Sequence, residues 1–202
     1  MAKSSEKALS GYEVLLCVTG GIACYKTADL ASSLVQAGAG VNVAMTDSAT
    51  QFIGPITFQS LTGRRVYTSM WIAPQEYSAQ HIALTELADL MVLAPATADI
   101  LAKMACGIAD NLVSTLALSA HGACPILAAP AMNTRMWTAP AMQANMKTLI
   151  ERGLTVIGPA EGRLACGTVG NGRMSEPDEI FQSISDLLKK HPPKNAGATQ
   201  SP

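Results

Sequence analysis

Five short apolar runs, Val14 to Val18, Val41 to Met45, Leu90 to Leu93, Ile126 to Ala129 and Leu154 to Ile157, recur along the chain with helical patterns between them. Near-continuous apolar runs of this length belong to strands buried on both faces, and such strands lie in parallel sheets with helices on either side. The intervening helices are read from the turn after Val18 to about Gln36, over Ile100 to Met104, Asn111 to Ala120, Ala141 to Glu151 and Glu179 to Lys189. Strand and helix alternate, which predicts an α/β fold with a doubly wound parallel sheet.

Three of the strand ends open a helix with small or hydroxyl residues. They are Gly20 to Ala23, Thr46 to Ser48, where Asp47 or Ser48 can cap, and Thr97 to Ile100. Backbone amides at helix N-termini, with hydroxyls beside them, suit a phosphate. A dinucleotide fingerprint needs GxGxxG, which Thr19-Gly20-Gly21-Ile22 does not supply, and no Gly-Lys-Ser/Thr follows to make a Walker loop. A mononucleotide such as FMN is therefore favoured over NAD or ATP, within a flavodoxin-like, Rossmann-type three-layer sandwich. Each turn taken singly also reads as routine β-α capping.

Three further features carry chemistry. The stretch Pro130-Ala-Met-Asn-Thr-Arg-Met-Trp137 follows a strand directly, where ligands of open α/β sheets bind, and puts Asn133 at the bend. An Asn there also reads as turn chemistry alone. Between Gly162 and Met174 four glycines and an Asn break every period, describing a mobile loop that carries Cys166. Such a loop can close over a ligand and deliver a thiol, or be a plain connector. His81, on the polar approach to the helix before Leu90, is the best general-base candidate of three histidines, capping being the other reading.

With 202 residues, 49% of them hydrophobic, the chain suits one domain, taken as residues 13–190 between a polar N-terminal tail, 1–12, and a disordered C-terminal tail, 191–202. A net charge of -1 leaves no basic stripe for nucleic acid. Five Cys without CxxC spacing argue against a disulfide framework and a metal site and favour a reducing, cytoplasmic setting. The run Val14 to Val18 is too short to span a bilayer, so no membrane partner is expected. Low charge and many Ala, Met and Gly suggest surface covered by sister subunits.

Thr19 to Ala23, His81-Ile82-Ala83-Leu84 through Leu90, Ala94-Pro95-Ala96-Thr97-Ala98, Pro130 to Trp137 and Leu164-Ala165-Cys166-Gly167 together resemble the flavin-containing cysteine decarboxylases that act as homo-oligomers. The likeness runs from about Glu13 to Ile184 and is nearest to the branch acting on phosphopantothenoylcysteine in coenzyme A biosynthesis. The resemblance implies FMN bound by Gly21, Ile22, Ala23, Thr46, Ser48, Thr97, Ala98, Asp99, Ile100 and Ala131. It implies His81 as base, Asn133 holding the substrate carboxylate and Cys166 as acid, with Met136, Ala165 and Gly167 also at the substrate. The implied reaction is oxidation to a thioaldehyde, loss of CO2 to an enethiol and re-reduction, in sites formed between subunits of a trimer or of a dodecamer of trimers. Asp99 stands where Asn is common, Thr168 where an acidic residue is common and Gly21 where Ser is frequent. The rival readings are a peptidyl-cysteine decarboxylase of lantibiotic maturation, which stops at the enethiol, and a non-catalytic FMN-binding regulatory subunit. Many bacterial relatives of this kind also carry a second, ligating domain, which this chain is expected to lack.

Overall fold

The computed structural model describes residues 7–71, 80–163, 167 and 169–194. Within them β1 (Glu13–Val18), β2 (Gly40–Met45), β3 (Val66–Tyr67), β4 (Leu90–Ala96), β5 (Ile126–Pro130) and β6 (Thr155–Val156) form one sheet in the order β3-β2-β1-β4-β5-β6. Every neighbouring pair in it is parallel. Chain order therefore reverses between β1 and β4, the switch point beyond which such sheets bind ligands.

Helices cover both faces, as continuous apolar strands require. Along β1, Val14, Leu16 and Val18 pack with Leu30 and Leu34 of α1 (Cys24–Gln36), Phe58 of α3 (Pro55–Thr62) and Ile180 and Ile184 of α9 (Pro177–Leu188). The alternate residues Leu15 and Cys17 join Leu84 of α4 (Gln80–Leu87), Leu101 of α5 (Ala98–Cys106), Leu116 of α6 (Leu112–Ser119) and Met142 of α8 (Pro140–Glu151). One sheet thus divides two apolar layers, and burial pushes the thiols of Cys17, Cys24 and Cys124 up from their ordinary range. No helix among the described residues is long and apolar enough to cross a membrane.

The expected strands and helices are present, with instructive differences. β4 runs three residues beyond Leu93, because pairing with β5 resumes at Ala96 and Pro130 after a register shift. Thr46 caps the short α2 (Asp47–Thr50), its Oγ1 accepting from the Ala49 amide, so neither Asp47 nor Ser48 is the cap. β3 extends the sheet edge and α3 packs on its face where no element was expected. The arms of the glycine-rich segment are not loop: β7 (Ala160–Arg163) and β8 (Val169–Arg173) pair antiparallel, and glycine hides a strand from any periodicity reading.

Both expected tails are corrected where they are described. Leu9 is wholly buried in the first apolar layer and its amide donates to the Ala37 carbonyl, so residues 7–12 are part of the domain. Residues 191–194 are seated too: the Tyr12 hydroxyl donates to the His191 carbonyl and Lys194 makes four hydrogen bonds to the body. Residues 195–202 lie outside the described residues. One leucine in a polar stretch, or one lysine near a chain end, leaves no periodic signal. Leu9→Ala should lower stability by about 2–4 kcal/mol in chemical denaturation, as for other wholly buried leucines.

Candidate functional site

The β1 and β4 ends are pinned together by Thr19. Its buried Oγ1 donates to the Pro95 carbonyl at 2.6 Å and accepts from the Thr97 amide at 3.1 Å. From the first turn of α1, Thr27 Oγ1 donates to the Ala94 carbonyl at 2.8 Å. These bonds stop the two turns from drifting and leave the N-termini of α1 and α5 side by side. Thr97 caps α5, accepting from the Ile100 amide. The β2 turn closes from the other side, where a Cβ on Gly20 would lie 2.3 Å from Ser48 Cβ. Only a glycine allows that approach.

Beyond these turns opens a cavity of about 1060 Å³. That is the upper end of the range for small-molecule sites. Of the expected flavin residues, Gly21, Ile22, Ala23, Thr46, Ser48, Thr97, Ala98, Asp99 and Ala131 line it. Ile100 does not: its side chain is buried in the second apolar layer and its amide is engaged by Thr97. Asn133 and Met136 also line the cavity. Asn133 caps α7 (Thr134–Trp137), with Oδ1 accepting from the Arg135 amide at 2.8 Å. Turn chemistry and a place at the cavity therefore coexist, and the donor of this side chain is Nδ2, a group able to pair with a carboxylate.

The hairpin leans on this loop. Met132 donates from its amide to the Gly172 carbonyl at 2.9 Å, and a Cβ on Gly172 would lie 2.2 Å from the Met132 carbonyl oxygen. Gly172, Arg173 and Met174 thereby join the cavity wall. Gly167 is exposed and is not among the lining residues, while Ala165, Cys166 and Thr168 lie outside the described residues. His81 is half-buried on α4 and does not line this cavity.

Charged residues that the sequence reading did not single out complete the wall. Lys26, in the first turn of α1, donates to both Glu176 carboxylate oxygens at 2.9 Å, and Arg173 reaches the same carboxylate at 3.2 Å. The Lys26 ammonium holds the Glu176 carboxyl below its usual range. A lysine there opposes the helix dipole, which was the one available signal for it. The buried Arg173 Nε has no hydrogen-bond partner among the described residues, a cost that an acceptor on a ligand would remove. Across the cavity Lys103 pairs with Asp99 at 3.2 Å and Asp110 at 3.1 Å, so one ammonium is shared by two carboxylates.

Helix N-termini, hydroxyls, close-packed glycines and cations beside an apolar rim fit a phosphorylated aromatic mononucleotide. The fold and site are those of the mononucleotide-binding class of α/β protein, with the cavity at the β1/β4 switch point. The chain belongs to the Flavoprotein family, which it matches over residues 2–189. It is 46% identical over 183 residues to the coenzyme A biosynthesis bifunctional protein CoaBC of Bacillus subtilis, covering 91% of this chain and 44% of that one. With CoaBC of Vibrio cholerae it shares 48% over 182 residues, 90% of this chain and 45% of the other. The chain spans less than half the length of these relatives. Among solved structures, a PPC decarboxylase mutant complexed with pantothenoylaminoethenethiol matches with a TM-score of 0.81 at 32% identity, over 89% of this chain and 99% of that one. The FMN binding protein AtHal3 matches with a TM-score of 0.80 at 31% identity, over 90% and 99%.

Because the folded state depresses the Glu176 pKa, the Lys26 pair stabilises above the unfolded pKa and ceases to as pH falls through the folded one. Glu176→Gln should therefore melt below the parent at pH 7, by an amount corresponding to about 1 kcal/mol or less for so exposed a carboxylate, and with it at acid pH.

Proposed function

We propose that the cavity binds FMN and that this chain decarboxylates 4'-phosphopantothenoylcysteine to 4'-phosphopantetheine in coenzyme A biosynthesis, a carboxy-lyase activity in the cytoplasm. The observation that carries this reading is the convergence of the β1, β2 and β4 turns with Asn133 in one cavity at the switch point. The names of the CoaBC relatives and of the PPC decarboxylase structure support the substrate. The odd set of cysteines without CxxC spacing supports the compartment.

Amides at the N-termini of α1 and α5, with Thr46, Ser48 and Thr97, would hold the cofactor phosphate. Lys26, Arg163 and Arg173 offer cations for the substrate's own phosphate. A cysteine carboxylate has no adjacent electron sink, and bound FMN supplies reversible oxidation at the carbon bearing sulfur, which creates one. Asn133 Nδ2 would align the carboxylate for departure, which is positioning. His81 would take the thiol proton, and Cys166, with Ala165 and Gly167 around it, would return a proton to the product.

His81 cannot act within a cavity it does not line, so the reading requires a second subunit. Ile82 and Leu87 on α4 are exposed apolar side chains that such a partner would cover. A homotrimer, alone or gathered into a dodecamer, brings α4 of one protomer to the cavity of the next.

The deciding experiment is mass-spectrometric turnover of purified protein with 4'-phosphopantothenoylcysteine, while flavin absorbance is followed. Wild type should yield 4'-phosphopantetheine and Cys166→Ser should stop at an oxidised, enethiol-derived product. Bound FMN without turnover would transfer the reading to a peptidyl-cysteine substrate or a regulatory role, and absence of flavin would end it. Gly20→Ala, which forces the β1 and β2 turns apart, should cut co-purifying flavin by about tenfold or more while circular dichroism keeps the folded signature.

A further inference from the structure

α4 is weakly anchored by packing. Among residues 81–87 only Leu84 and Thr85 are buried, and the helix exposes Ile82, Ala83, Glu86 and Leu87. A helix this short is not held by its own propensity, and the carbonyls of its last turn need outside donors. They find one in Lys194, more than a hundred residues away in sequence. Its Nζ donates to the Glu86 carbonyl at 3.1 Å, the Ala88 carbonyl at 2.5 Å and the Ala123 carbonyl at 2.8 Å. All three ammonium protons are used, and a cation at a helix C-terminus is also favoured by the dipole.

The segment carrying Lys194 is itself tied at both ends. The Lys194 amide donates to Asp89 Oδ1 at 2.8 Å, and Asp89 Oδ2 accepts from the Glu13 amide at 2.7 Å, joining the strap to the start of β1. Upstream, Tyr12 bonds the His191 carbonyl at 2.8 Å, and Pro193 lies 3.5 Å from the position of a Cβ on Gly11. At the far end of α4, Thr85 Oγ1 donates back to the His81 carbonyl at 3.0 Å. His81 stands about 9 Å along the helix from the clamped end, at 1.5 Å per residue.

We propose that residues 191–194 are a strap whose Lys194 ammonium fixes the C-terminal end of α4 and so sets where α4 presents His81; Lys194 is a positioning residue for the proton acceptor. The inference rests on the reading of His81 given above. A misplacement of about 1 Å in a reacting group can cost up to about 10²-fold in rate, so a loosened α4 is felt in kcat more than in substrate affinity.

The test compares wild type, Lys194→Met, Lys194→Arg and the exposed control Lys190→Met by amide hydrogen exchange over residues 81–88 and by kcat and KM for 4'-phosphopantothenoylcysteine. In Lys194→Met, exchange over 84–88 should quicken about tenfold or more and kcat should fall about fivefold to twentyfold, with KM within about twofold and flavin content unchanged. Lys194→Arg should restore part of both, and Lys190→Met should change neither. Unaltered exchange in Lys194→Met overturns the strap, and faster exchange with unchanged kcat overturns its link to His81. Should Lys194→Met fail to fold, Tyr12→Phe loosens the strap from its other end and should move exchange the same way by about twofold, no change there counting against the proposal. A wild type inactive on this substrate sinks the functional reading instead, and the strap is then upheld or rejected by exchange alone.

Discussion

The junction of β1 with β4 is the constraint on which the rest of the molecule depends. Two strands separated by most of a hundred residues run side by side, and beyond them the chain winds outward in opposite directions. The crevice so formed has backbone amides on both lips; the Thr19 hydroxyl bridges the lips and Thr27 repeats the tie from the first turn of α1. Both hydroxyls are buried, so neither bond competes with water and each would leave unpaired backbone groups if lost.

Charge around the crevice is arranged by elements from opposite ends of the chain. Lys26 on α1 and Arg173 on β8 share Glu176 ahead of α9, and Lys103 is held between Asp99 and Asp110. The first group keeps two cations at the wall with one carboxylate between them. The second ties two carboxylates to one ammonium. The side chains are pre-set by one another, which lowers the ordering cost of binding an anion.

Much of this was legible in the residues. The apolar runs foretold five of the six sheet strands, and the central ones, β1, β2, β4 and β5, are buried on both faces and carry no polar phase to blur them. Of the ten residues that the resemblance implied for the flavin, nine line the cavity, and Ile100, whose amide the Thr97 cap takes, does not. The hairpin β7–β8 stayed hidden because its glycines have no side chains to alternate. Lys26, Leu9 and Lys194 stayed hidden because each matters through a partner remote in sequence.

Sequence by itself determined the class of fold, the places where strands give way to anion-seeking turns, and His81, Asn133 and Cys166 as the candidates for chemistry. Those follow from local rules: hydrophobic period, glycine and hydroxyl turns, and the chemistry of single side chains. Tertiary structure decided that the three turns meet in one cavity, that Asn133 both caps a helix and faces that cavity, and that His81 stands apart from it on a helix tied down by Lys194. Convergence and separation are properties of distance in space, and distance between residues remote in the chain is set only when the sheet closes its order and the helices pack on it.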